Sequence, residues 1–235
     1  MRLQSAIFDM DGTLLDSMPT WRELGPTFLK EAGISATPEQ DRMLHILADC
    51  DVIPYLRKVC GLPWSQQEII DQIIQRMEIF YSSQVRPKPG LEKFLSILKM
   101  EGVWMYVATA THRRLTEKAL KTAGIDHYFR GIVTSADAGN HKSESADIYE
   151  MAMRRLQSNK RDTVVFEDAL HAARTARESG FLVAGVWDPS AEGDQDGLRQ
   201  CCHWYLPRLD DPGFLAELGQ LCAGEKKVEE IKNNG

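Results

Sequence analysis

No run of apolar residues in this sequence approaches the length of a membrane-spanning helix. Its opening residues lack the basic flank and long apolar stretch of a secretory signal, so neither membrane embedding nor export is expected. Cysteine is scarce. Cys50, Cys60, Cys201, Cys202 and Cys222 are odd in number and show no paired spacing, which indicates neither a disulfide framework nor a zinc site and suits reduced cytoplasmic thiols. The run Cys201-Cys202-His203 has no second ligand pair and reads as the approach to a short strand rather than a metal site. Positive charge is in deficit as well: 28 Lys and Arg stand against 34 Asp and Glu, a formal net charge of -6. The whole-protein field therefore attracts neither nucleic acid nor an anionic membrane surface. An anionic substrate needs a local cationic site.

What the chain does have is ordinary globular composition, 43% hydrophobic and 26% charged, which excludes disorder and fibrous repeats. Its 235 residues suffice for one α/β core carrying one inserted module.

The stretch from Leu3 to Phe8 is mostly apolar and ends abruptly in Asp9-Met10-Asp11-Gly12-Thr13, a buried strand running into a turn. Residues 16–84 change character. Trp21, Leu24 and Phe28, then Ile69, Ile70, Ile73, Ile74, Met77 and Phe80, fall at helical spacing with no strand pattern between them. Pro87, Pro89 and Gly90 punctuate the end of this helical insert, and Leu91, Phe94, Leu95 and Leu98 then form an amphipathic helix closed by Gly102. From Val103 onward apolar strands at Val103 to Ala108, Ile132 to Thr134, Thr163 to Phe166, Leu182 to Val186 and Trp204 to Leu206 alternate with helix-like segments. The expected fold is α/β: a Rossmann-like three-layer core with a mostly parallel sheet, residues 1–15 and 85–235, plus an all-helical domain at residues 16–84. Thr109 follows the strand after Gly102, and Glu167 with Asp168 follows Phe166. Polar groups thus leave three strands at their carboxyl ends, where open α/β sheets bind ligands. The Lys-, Glu- and Asn-rich tail after Gly224 reads as a frayed helix or a solvated end.

In extended backbone, side chains two apart point the same way, so Asp9 and Asp11 face one site while Met10 turns back. Two carboxylates that close favour a bound cation or protonation of one of them. Glu167 and Asp168 taken alone would serve equally well as a helix cap. Together with Asp9 and Asp11 they point to a site for magnesium, which prefers carboxylates, water and substrate phosphate as ligands.

Asp9-Met10-Asp11-Gly12-Thr13-Leu14 resembles the first motif of the haloacid dehalogenase superfamily of phosphatases and mutases. Val107-Ala108-Thr109-Ala110-Thr111 resembles the second, Lys142 with Asp147-Ile148-Tyr149 the third, and Phe166-Glu167-Asp168 the fourth. Within the superfamily the chain is similar to the β-phosphoglucomutase and phosphoglycolate phosphatase-like subfamily, whose helical cap follows the first motif. The resemblance implies that Asp9 is the nucleophile and becomes an aspartyl phosphate, and that Asp11 protonates the leaving oxygen and later deprotonates water. It implies that Thr109 and the amide of Ala110 bind phosphate oxygens while Lys142 neutralises their charge. Magnesium would be held by Asp9, the main-chain carbonyl of Asp11, Asp168, and Glu167 directly or through water.

Members resembling true haloacid dehalogenases lack an acid at the place of Asp11 and displace halide, so its presence favours phosphate chemistry. Two departures touch loop geometry: Ser143, Glu144 and Ser145 stand where prolines usually follow the motif's lysine, and Ala172 stands where a glycine is usual. His141, a lone histidine beside Lys142, is given no role. The expected activity is a magnesium-dependent phosphatase of a small phosphorylated metabolite, a sugar phosphate among the candidates. The alternatives are a phosphomutase and a non-catalytic phospho-ligand-binding relative. The absence of an arginine between Asp49 and Val52, the first coming at Arg57, weighs against the mutase. Trp21, Arg22, His45, Thr111 and His112 are weak candidates for substrate selection. Monomer and homodimer are equally compatible with the sequence.

Overall fold

The computed structural model describes residues 2–46 and 49–225. In chain order the elements are β1 (Ser5–Phe8), α1 (Met18–Glu31), α2 (Pro38–Ile46), α3 (Asp49–Lys58), α4 (Gln66–Ser83), α5 (Leu91–Met100), β2 (Trp104–Thr109), α6 (Arg113–Thr122), β3 (Phe129–Thr134), α7 (Ser135–Ala138), α8 (Asp147–Arg155), β4 (Thr163–Glu167), α9 (Leu170–Glu178), β5 (Leu182–Val186), α10 (Gln195–Cys201), β6 (Trp204–Leu206) and α11 (Pro212–Ala223). The chain divides into two compact units, Met1–Asp16 with Arg86–Gly235, and Ser17–Val85.

The first unit carries a six-stranded sheet in the order β3-β2-β1-β4-β5-β6. Every neighbouring pair runs parallel, as an α/β core with helical crossovers requires. The residues of β1 and β4 are buried throughout, and alternation sends their side chains to opposite faces. On one face Ile7, Val165 and Val183 join Ile148, Tyr149 and Ala152 of α8 and Ala173 and Ala176 of α9. On the other, Phe8 stacks on Phe166 at 4.5 Å and meets Phe94 of α5 edge-on at 6.1 Å, while Phe94 lies 6.0 Å from Phe214 of α11. Each aromatic pair contributes about 0.5–1.5 kcal/mol beyond its burial, so both faces of the central strands are anchored where they carry functional groups.

The sheet order reverses at β1, which has β2 on one side and β4 on the other. A crevice at the carboxyl ends is the topological consequence. The segments after β1 and before α5 pair with each other: Asp16 N donates to Arg86 O at 3.0 Å, and Lys88 N to Leu14 O at 2.9 Å.

The second unit is helical. Phe28, Leu29, Leu56, Ile69, Met77 and Tyr81 are buried in it, and Phe28 packs against Trp64 at 5.5 Å. Ser65 starts α4 with a capping box: its hydroxyl accepts from Glu68 N, and Glu68 accepts from Ser65 N. Arg76 makes two 2.7 Å bonds to the Glu31 carboxylate, joining α4 to α1.

The expectation for the tail beyond Gly224 falls, apart from Glu225, outside the described residues. Among the described residues no helix is long and apolar enough to cross a membrane.

Candidate active site

Asp9 follows β1 directly, and its amide continues the sheet pairing to Phe166 O at 3.0 Å. The chain must then reverse. Gly12 does this at φ 86°, a left-handed conformation that a side chain resists. Leu14 N and Leu15 N both donate to Met10 O at 2.9 Å, and Gly12 N to Leu15 O at 3.0 Å. This hydrogen-bonded turn aims the Thr13 hydroxyl at Asp168 Oδ1, 2.9 Å away.

The buried carboxylates of Asp9, Glu167 and Asp168 present oxygens that all lie within 4.8 Å of one another. One ammonium faces them. Lys142 Nζ forms an ion pair with Asp9 Oδ1 and donates to Glu167 Oε1 at 2.7 Å. The loop carrying Lys142 lacks the expected prolines, yet Glu144 N and Ser145 N both bond His141 O, at 3.0 and 3.1 Å, and Ser145 Oγ accepts from Asp147 N at 3.2 Å. Serine-type capping thus supplies the turn that proline rings would otherwise impose. Ala172 is buried within α9.

Three carboxylates against the Lys142 ammonium, with the buried Lys88–Asp188 pair adding one charge of each sign near Asp168, leave an excess of buried negative charge. Burial raises the Asp9 carboxyl well above its ordinary range against the opposing pull of Lys142, with Glu167 and Asp168 adding to the rise. Asp168 is pushed up to about 8, by burial first and then by Glu167 and Asp188. For Lys142, burial pulls downward, but the carboxylates of Asp9 and Glu167 outweigh it and hold the ammonium above its ordinary value. A divalent cation fits this donor set: oxygen-only ligands, clustered, with a charge deficit that a cation would remove. The capping alternative for Glu167 and Asp168 fails, because α9 begins after Ala169 and no side chain caps it.

The Asp11 carboxylate lies outside that cluster and accepts from Thr111 Oγ1 at 2.7 Å. Thr109 Oγ1 accepts from Thr111 N at 3.1 Å, both residues being buried at the end of β2, while Ala110 between them is exposed. His112 precedes α6 as its N-cap residue. Trp21 donates Nε1 to Tyr81 Oη at 2.9 Å within the helical unit, to which Arg22 also belongs. The side chain of His45 lies outside the described residues. Arg57 donates Nε to Trp64 O at 3.1 Å. Among the described residues, His203 of the Cys201-Cys202-His203 run accepts through Nδ1 from Val183 N at 3.0 Å, beside the start of β6, and joins no acidic or thiol cluster.

Sequence reasoning gave no role to three groups. Thr13 sits inside the first motif, but its partner is 155 positions away. Tyr149 was legible only as part of the third motif, and its hydroxyl donates to Glu167 Oε1 at 2.6 Å. Lys88 Nζ pairs with Asp188 Oδ2 at 2.7 Å and donates to Trp187 O at 2.7 Å, both residues following β5.

A family model for haloacid dehalogenase-like hydrolases matches residues 6–186. The chain belongs to this family. It is 24% identical over 179 residues to a phosphorylated carbohydrates phosphatase of Thermotoga maritima, covering 76% of this chain and 82% of that protein. It is 27% identical over 203 residues to hexitol phosphatase B of Escherichia coli, covering 82% and 87%. Its fold matches the crystal structure of a β-phosphoglucomutase of Clostridium difficile with a TM-score of 0.71 at 16% identity, over 93% of this chain and 97% of that one.

Proposed function

We propose that the chain is a magnesium-dependent phosphatase of small phosphorylated metabolites, sugar phosphates foremost, which carries the phosphoryl group on Asp9. The observation that carries this reading is the convergence of Asp9, Glu167 and Asp168 within 4.8 Å, with the Lys142 ammonium paired to Asp9. A carboxylate nucleophile is useless against a phosphate dianion unless positive charge stands between them.

Asp9 attacks phosphorus in line, forming an acyl phosphate as the ester P–O bond breaks. Asp11, held by Thr111 outside the carboxylate cluster, gives a proton to the departing alcohol oxygen. In the second half it takes a proton from water, which attacks phosphorus, releases inorganic phosphate and restores the Asp9 carboxylate. Thr109 and the Ala110 amide bind the equatorial oxygens, and Lys142 meets their charge without reorganisation. Asp9, Asp168 and the Asp11 carbonyl, with Glu167 directly or through water, would hold magnesium, which when bound would supply charge neutralisation between nucleophile and phosphate.

The names of the two curated relatives support sugar phosphates as the substrate class. The test is a phosphate-release assay over sugar phosphates, phosphoglycolate, nucleotides and pyrophosphate, with magnesium or with EDTA. Magnesium-dependent release from a sugar phosphate is expected. Isomerised sugar phosphate without free phosphate would establish the mutase, and binding without either product would establish the non-catalytic relative.

A further inference from the structure

Tyr149 is fully buried on α8, edge-on to Phe181 at 6.2 Å. Packing there demands a ring and not a hydroxyl, since phenylalanine fills the same volume. A buried hydroxyl is costly unless it is hydrogen-bonded. This one donates to Glu167 Oε1 at 2.6 Å, and the same oxygen accepts from Lys142 Nζ at 2.7 Å.

We propose that Tyr149 is a positioning residue: its hydroxyl fixes the Glu167 carboxylate and, through it, aims the Lys142 ammonium at Asp9 and at the phosphoryl group carried there. This rests on the phosphatase reading of the same site. Lysine is a point charge on a flexible four-carbon stem and has no preferred direction of its own. Lys142 is therefore only as well placed as its two anchors, Asp9 and Glu167. When Asp9 bonds to phosphorus it gives up carboxylate charge, and Glu167 becomes the anchor that remains. Glu167 is itself a long side chain, and Tyr149 is the neutral donor that stops it following the lysine. Both donors take the same oxygen, Oε1. The Tyr149 ring also lies 5.9 Å from Lys142 Nζ, a contact that phenylalanine retains, so Tyr149→Phe removes the hydroxyl and little else.

The experiment compares wild type, Tyr149→Phe, Glu167→Gln and the double variant in full-length protein. Manganese binding is measured directly by electron paramagnetic resonance, and kcat and KM by phosphate release. Tyr149→Phe is expected to weaken manganese binding and lower kcat about 10-fold each, the lower end of the range for outer-shell partners of metal ligands, with KM little changed. In the Glu167→Gln background the same change is expected to add nothing, because its target carboxylate is already gone. Wild-type metal affinity and kcat in Tyr149→Phe would overturn the proposal. So would effects that multiply in the double variant, which mark an independent structural role. Weakened manganese binding that disappears in the Glu167→Gln background, in a protein releasing no phosphate from any substrate, would uphold the Tyr149 assignment and overturn the phosphatase reading instead.

Discussion

The Thr13 hydroxyl donates to Asp168 Oδ1 across 2.9 Å and 155 positions of sequence, tying the turn after β1 to the end of β4. Two acidic motifs that diverge along the chain are thereby locked into one geometry. Thr13→Val keeps the shape and removes the donor. The expected result is a rise of about 10-fold in the magnesium concentration giving half-maximal activity, as for other outer-shell partners of metal ligands. A magnesium titration of phosphate release checks it, and an unchanged midpoint would separate Thr13 from the metal.

The Lys88–Asp188 ion pair is buried on both sides. Removing one partner of such a pair leaves an uncompensated charge and costs about 3–5 kcal/mol. Lys88→Met is expected to destabilise the fold by that order in urea unfolding, and adding Asp188→Asn to recover part of the loss. A single variant as stable as wild type would mean that the pair contributes nothing.

Without metal, stability should fall as pH rises. Burial, then Glu167 and Asp188, push the folded-state pKa of Asp168 from the ordinary 3.8 up to about 8. Between those values the folded chain holds a proton that the unfolded chain has lost, so the slope of unfolding free energy against pH is negative. The raised Asp9 carboxyl acts in the same direction. The melting temperature in EDTA is expected to drop from pH 5 to pH 8.5. Magnesium competes with those protons, so its stabilising effect should grow over the same interval. A metal-free melting temperature that climbs with pH contradicts the arrangement.

Thr111 Oγ1 donates to Asp11 Oδ2 at 2.7 Å, and the Asp11 carboxylate stands outside the acidic cluster. Thr111→Val should lower kcat by roughly 10- to 100-fold, within the contribution of general acid–base catalysis. The loss should be smaller for substrates with a good leaving group such as p-nitrophenyl phosphate, where protonation of the leaving oxygen matters less. Equal losses on both substrate types would place Thr111 elsewhere in the mechanism.

The sheet was legible because its strands are buried on both faces and read as short apolar runs, as in Ala6-Ile7-Phe8 and Val164-Val165-Phe166. The edge strand β3 was legible only in its second half: Phe129, Arg130 and Gly131 are partly or fully exposed and break the apolar signal. Helix α2 is mostly polar, Pro38-Glu39-Gln40-Asp41-Arg42 at its start, and leaves little periodicity to read. Asp9, Glu167 and Asp168 stood out as acidic residues gathered at the ends of two apolar strands, whereas Lys142, in the loop between α7 and α8, was legible only through its resemblance to the third motif. Tyr149 and Lys88 did not, since their importance lies in partners 18 and 100 positions away that only the tertiary register brings close. A tyrosine on an apolar helix face looks like core, and most of Tyr149 is core.

The covalent role of Asp9 is tested most directly by quenching the protein during turnover of a sugar phosphate with borohydride, which reduces an acyl phosphate to an alcohol, and sequencing the peptides by mass spectrometry. Conversion of Asp9 to homoserine is the expected result, dependent on magnesium and substrate, with Asp9→Asn folded and inactive. Steady phosphate release with Asp9 unmodified, or undiminished turnover by Asp9→Asn, would contradict it.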